Sequence, residues 1–279
     1  MLNGREMNGP TLHGLDVRSL ARTGQLTGPT CGLAPDYLQA NLVVLPQALA
    51  GDFLRFCQRN PKPCPILAVS EPGAWAPGDI APGADLRCDL PRYRVYRRGE
   101  LVEEPTDIVN RWRDDFVAFL LGCSLSFEAA MQRAGLPVRH LEERCNVPMY
   151  RTSIPCAPSG VFAGPLVVTM RPMTPAQAIS AVVVTSRYPH AHGAPVHFGD
   201  PAAIGIPDLG RPDFGDAVTI RPGEVPVFWA CGVTPQAVLM QAKPELAITH
   251  SPGCMFVTDW PAEDASGTEP QFAADHACQ

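Results

Sequence analysis

Three of the chain's seven histidines, His190, His192 and His197, fall in one short segment, with Asp200 just behind. Gly193, Pro195 and Gly199 break that segment and keep it from being helical. Imidazoles and a carboxylate on such a loop suit proton transfer or metal binding. His192 and His197 are the candidate acid–base pair, with Asp200 orienting one ring. A metal would need a third ligand, Asp200 or His250, and no metal site is assigned. The plain structural alternative is that these histidines only hydrogen-bond and pin a proline-rich loop.

A second group is Gly122-Cys123-Ser124-Leu-Ser126-Phe-Glu128. It reads as a helix start, where free N–H groups favour anions and developing oxyanions. Cys123 there is a candidate nucleophile with a lowered pKa. Ser124 and Glu128 are candidate substrate contacts, although Glu in a first turn is also common for dipole reasons. A third group is basic: Arg139 with His140, Arg151, and Arg171 at a predicted strand end. Arginine is the usual bidentate clamp for a carboxylate. Arg139, His140, Arg171 and His250 therefore join the candidate binding residues. Phe228-Trp229-Ala-Cys231-Gly232 reads as strand core followed by a turn.

The chain lacks GxGxxG, the phosphate-loop GxxxxGK[ST], GxSxG and HExxH. The commonest nucleotide, serine-hydrolase and zinc-protease readings go with them. Net charge is −6 with no basic block, which argues against a nucleic-acid partner. No apolar stretch approaches the roughly 20 residues of a membrane span, and the first 15 residues lack a signal-peptide core. The expectation is a cytoplasmic protein, without membrane or cofactor, that binds a small carboxylic acid and could be a homo-oligomer. Ten cysteines without CxxC spacing read as reduced, mostly core, thiols. The 31 prolines, scattered among apolar runs, predict many short elements joined by rigid turns.

The elements that must position these residues follow from periodicity and punctuation. Asp16 is placed as the cap of a short helix through Arg22, and a helix starts at Pro46 and stops at Asn60. Pro65–Val69 reads as a strand and Arg92–Val102 as a hairpin turning at Arg98-Gly99. Asp107–Leu121 reads as a helix, with Val109, Trp112, Phe116, Phe119 and Leu120 on one side. Leu125–Ala134 is a second helix. Val161–Met170, Val182–Thr185, Val225–Ala230 and Leu246–Thr249 read as strands, with helix from Ala176 and over Gln236–Gln241. Thr174-Pro175 and Thr234-Pro235 each fit a cap followed by the first helical residue. The two halves around them echo one another as β-α-β units, consistent with an internal duplication. The fold class is α/β, two-lobed, with mixed sheets. The expected lobes are 1–121 and 122–262, interleaved or not, with 263–279 a disordered tail.

Several stretches together resemble the hydro-lyase family also called the D-glutamate cyclase family. They include Gln39–Leu42, Phe53–Pro65, Gly122–Glu128, Asn146–Tyr150, Met170–Pro172, His192–Pro201, Val225–Gln236 and Ile248–His250. The resemblance runs in order over roughly residues 12–260. Leu125 and Ser159 depart from it, standing where Phe and Ala are expected. It implies a two-lobed α/β fold and loss of water from a small acid, with D-glutamate closing to 5-oxoproline as the specific case. It carries no catalytic residues over. Two other classes stay open: a non-catalytic carboxylate-binding or regulatory protein, and a metal-dependent amide or lactam hydrolase.

Overall fold

The computed structural model describes residues 12–262. In chain order it holds α1 (Gly14–Arg22), β1 (Tyr37–Pro46), α2 (Gln47–Arg59), β2 (Ile66–Val69), β3 (Tyr93–Arg97), β4 (Glu100–Glu103), β5 (Phe116–Gly122), α3 (Leu125–Arg133), α4 (Arg139–Glu142), β6 (Met149–Pro155), β7 (Pro165–Met173), α5 (Pro175–Thr185), β8 (His197–Phe198), β9 (Val225–Ala230), α6 (Thr234–Ala242), β10 (Ala247–His250) and β11 (Phe256–Pro261).

The strands form two sheets. The larger has the order β2-β5-β1-β10-β3-β4, with β11 also pairing β1, and the smaller has the order β6-β7-β9-β8. Every pairing is antiparallel. The fold is thus mixed α/β, as expected, but its sheets are not built from β-α-β units.

The central core lies between the two sheets. Val43, Leu45, Phe119 and Leu121 from the large sheet meet Val168, Met170, Phe228 and Ala230 from the small one, with Phe53 and Phe56 of α2 filling the space. The alternate residues of β1 and β5 face the other way: Leu42, Val44, Phe116, Ala118 and Leu120 pack under the 80–95 segment. The far face of the small sheet carries Met173, Val227 and Trp229, covered by Phe127 and Met131 of α3 and Ala178 and Ala181 of α5. A strand buried on both faces shows no apolar–polar alternation, and this explains one correction. Asp107–Leu121 is not a helix; a short 3-10 turn over Val109–Arg111 precedes β5, whose seven residues are all buried.

The β-α-β echo also resolves differently. Val182–Thr185 is not a strand but the last turn of α5. Thr174 caps that helix through a reciprocal capping box with Gln177, and Ala178, Ala181 and Thr185 face inward, leaving Ile179 and Val183 exposed. A good start and an inward stripe outweigh the β-branched run Val182-Val183-Val184. In the second half, β9 belongs to the small sheet and β10 to the large one, so α6 carries the chain between sheets. There Val233 holds the cap position, and the Thr234 hydroxyl instead accepts the Val167 N–H at 3.0 Å. Neither half is a β-α-β unit of one sheet, so the duplication has no support in the topology. At the first helix, His13 holds the cap and Asp16 is the return partner, accepting the His13 N–H at 2.8 Å.

The strand read from Val161 begins only at Pro165, and the other local readings hold to within about two residues. Arg98 and Gly99 both have positive φ in a two-residue turn between β3 and β4, as a type I′ hairpin requires. The expected tail, 263–279, lies outside the described residues.

Candidate functional site

β5 ends at Gly122, and the chain turns through Cys123 and Ser124 into α3. A side chain at Gly122 is impossible as the fold stands: its Cβ would lie 1.6 Å from the His190 carbonyl oxygen. This close approach brings the histidine loop onto the strand end. His192 then sits in the left-handed region, φ 77°, 1% exposed, with Nδ1 2.8 Å from the Lys62 carbonyl. That contact places the ring proton on Nδ1 and leaves Nε2 as a lone pair. Nε2 has no hydrogen-bond partner. Burial, opposed by the Lys62 contact and reinforced by the Arg171 charge, lowers the ring's pKa to about 4.

Ser124 and Glu128, one helical turn apart, both point inward from the start of α3 and are buried. Arg171 meets them from β7. Its guanidinium pairs with Glu128 Oε1, donates to Ser124 Oγ at 3.3 Å and to Thr169 Oγ1 at 3.1 Å, and lies over the rings of Phe127 (5.3 Å) and Trp229 (5.4 Å). Arg171 is 0% exposed, and its Nε is unpartnered. His140 of α4 closes the group, with Nε2 3.0 Å from Glu128 Oε1 and Nδ1 unpartnered. Burial alone would raise the Glu128 carboxyl; Arg171 and His140 outweigh it and hold it below the ordinary carboxylate range.

Cys31 arrives from the 23–35 loop. Its thiol lies 3.7 Å from Glu128 Oε2 and 3.9 Å from His140 Nε2. Burial and then the Glu128 charge push it well above the usual thiol range. Among the described residues, Cys31, Glu128 and His140 are the group that could hold a metal ion, with donor atoms within 4.8 Å of one another. The set anticipated for a metal, loop histidines with Asp200 or His250, is not that group.

The remaining candidates sit elsewhere. Cys123 is buried beside this cluster, but burial pushes its thiol up to about 12, against the weaker pull of the Leu125 N–H. The lowered pKa expected at a helix start is therefore reversed. His197 lies on β8 opposite Phe228, which faces the central core, whereas Arg171 shares the other sheet face with Trp229. His197 and His192 do not converge. Nor does the Asp200 carboxylate orient a ring: it accepts the Ala202 N–H at 3.0 Å, and only its backbone oxygen meets His197 Nε2, at 2.8 Å. Arg139 is buried but engaged, donating to Glu142 at 3.0 Å, Glu224 at 2.6 Å and the Thr219 carbonyl at 2.8 Å. It ties down the 219–224 loop. Arg151 pairs with Asp213 at 3.6 Å at the surface. His250 is buried at the end of β10 in the large sheet, with the Leu42 N–H 3.1 Å from Nδ1 and Gln236 at 3.3 Å; burial lowers it to about 4.

Beyond His250 the chain reaches an open cleft of about 440 Å³, lined by Arg92, Arg94, Glu104, Asn146, Ser251 and the Thr27–Pro29 turn among others. Nothing in the spacing of single motifs pointed to it.

A family model described as D-glutamate cyclase matches residues 117–259, which span β5 to β11 and so include Ser124, Glu128, His140, Arg171 and His192. Relatives carrying the name "Putative hydro-lyase" are similar over nearly the whole chain. One from Bordetella pertussis is 65% identical over 88% of this chain and 89% of its own length. Others are from Geobacillus kaustophilus (62%, covering 88% and 93%) and Rubrobacter xylanophilus (64%, covering 88% and 94%). The chain belongs to the D-glutamate cyclase family. Membership in the D-glutamate cyclase family makes this protein a lyase of the hydro-lyase kind. A solved nitrogen repressor-like protein from Methanococcus jannaschii aligns over 88% of this chain, but at 8% identity and a TM-score of 0.34 it carries no argument. No helix among the described residues is long and apolar enough to cross a membrane.

Proposed function

We propose that the protein removes water from a small amino dicarboxylic acid, closing D-glutamate to 5-oxo-D-proline, at the cluster of Arg171, Glu128, His140 and His192. The observation that carries this reading is the buried, unpartnered Nε2 of a neutral His192 beside the Arg171 charge. The reaction joins the α-nitrogen to the side-chain carboxyl carbon and breaks a carbon–oxygen bond. An ammonium and a carboxylate become an amide and one water, so two protons pass from nitrogen to the departing oxygen. His192 Nε2 takes the first, freeing the amine to attack, and returns it to the departing oxygen; it then takes the second from the joined nitrogen and hands it on in the same way, so water leaves and the ring ends neutral as it began. Arg171, with one N–H unused, faces the oxyanion of the tetrahedral intermediate. His140, held by Glu128 through Nε2 at 3.0 Å, turns its unpartnered Nδ1 to the departing oxygen and positions it.

A second reading has one observation in its favour: the Cys31, Glu128 and His140 donors would suit a divalent metal and metal-assisted hydrolysis of an amide or lactam. One tightly held metal per chain on elemental analysis would favour it.

The test is an NMR time course of the metal-analysed protein with D-glutamate, L-glutamate and hydroxy-dicarboxylates. We expect 5-oxoproline from D-glutamate and a loss of turnover on the order of 100-fold or more for His192→Asn, the usual worth of a positioned base. Asn tolerates the left-handed backbone and still offers a donor to the Lys62 carbonyl, so folding is spared. No conversion of any acid, or full activity in His192→Asn, overturns the assignment.

A further inference from the structure

The open cleft is built on a different principle from the buried cluster. β3 and the residue before it alternate: Tyr93 and Val95 enter the core, while Arg92 and Arg94 remain half-buried and line the cleft. β10 pairs beside them and delivers Ser251, whose N–H donates to the Arg92 carbonyl at 2.9 Å. Glu104, just after β4, accepts from Arg94 Nε at 2.5 Å and from Ser251 Oγ at 3.2 Å. Among the described residues no carboxylate pairs with Arg92. The polar floor is therefore two guanidinia against one carboxylate, a local excess of one positive charge in a chain of net charge −6. Asn146 and Gly28 also line the cleft, and a Cβ at Gly28 would meet nothing within 4 Å. The volume is that of a small-molecule site.

The geometry points to this cleft as a binding site for a small amino dicarboxylate, separate from the reaction cluster. Such an acid carries two carboxylates and one ammonium, net −1, and the cleft offers two guanidinia and one carboxylate, net +1. Arg92 holds one carboxylate in a fork; Arg94, turned from Glu104, holds the other; Glu104 takes the ammonium. The Thr27–Cys31 segment joins the two places: Thr27, Gly28 and Pro29 wall the cleft, and Cys31 touches Glu128 and His140. This goes beyond the cyclisation reading and does not depend on it.

Glutarate is the probe, because it has no amine and cannot form a lactam. Calorimetry should show it binding wild type and His192→Asn alike, with at least tenfold weaker binding to Arg92→Ala and partial recovery in Arg92→Lys. Glu104→Gln, measured in the His192→Asn background, should lose preference for D-glutamate over glutarate. No glutarate binding to the wild type, or equal binding to Arg92→Ala, overturns the proposal. Glutarate binding without any turnover of D-glutamate would instead leave this site standing and remove the cyclisation.

Discussion

The buried cluster and the open cleft use the same side chains to opposite effect. Each joins arginine to glutamate, yet the Arg171 and Glu128 side chains are 0% and 5% exposed, while those of Arg94 and Glu104 are 26% and 36% exposed. In the cluster, water cannot share the charge, so each group is fixed by its partner and the pair orders α3 against β7. In the cleft, water already solvates both groups, so an arriving acid can replace a weak partner at little cost. Burial thus separates a place that can hold reactive geometry from a place that can exchange ligands. It also separates their titration: His192, sealed beside Arg171, stays neutral down to about pH 4.

The largest expected effect comes from unbalancing the cluster. Glu128→Gln leaves Arg171 buried without a counter-charge and should cost about 3–5 kcal/mol of stability by urea unfolding. A loss below about 1 kcal/mol would break the contrast between the regions.

The next is pH. His192 and His250 each fall to about 4 from an ordinary 6.5, so the unfolded chain binds their protons more readily than the folded one. Stability contributed by the two rings is complete above pH 6.5 and declines as pH drops toward 4. Each ring is worth on the order of 3 kcal/mol once protonated. Glu128, held low, loses its own contribution only as pH falls below 4.5. Unfolding midpoints across pH 4–7 should show this slope, and His192→Asn should flatten about half of it.

The smallest effect belongs to the cleft. A double-mutant cycle on Arg94 and Glu104 should give under about 1 kcal/mol of coupling, as for other partly exposed pairs. A value near that of the cluster would mean the cleft is locked too, and unfit to open for a ligand.

Much of the local structure was legible. Pro46, Arg98-Gly99 and Thr174-Pro175 act through backbone conformation within a few residues, so α2, the β3–β4 hairpin and the start of α5 could be placed without tertiary knowledge. Phe116–Leu121 could not, because burial on both faces erases the period that separates strand from helix. Ser124, Glu128, His140, Arg171 and His192 were each singled out, but from separate motifs 47 residues apart between Ser124 and Arg171 alone. Cys31 carried no signal beyond its type. Arg92 and Arg94 were placed in a hairpin strand, but the hairpin reading did not mark them as a site.

By itself, then, the sequence determined the family, the absence of the common nucleotide and hydrolase motifs, the helix starts and turns, and the stock of groups able to move protons. Only tertiary structure decided which of them meet. Sheet pleat put His197 on the face opposite Arg171, close packing at Gly122 brought His192 to α3, and desolvation reversed the expected reactivity of Cys123. These are effects of distant neighbours and excluded water, and no spacing along the chain encodes them.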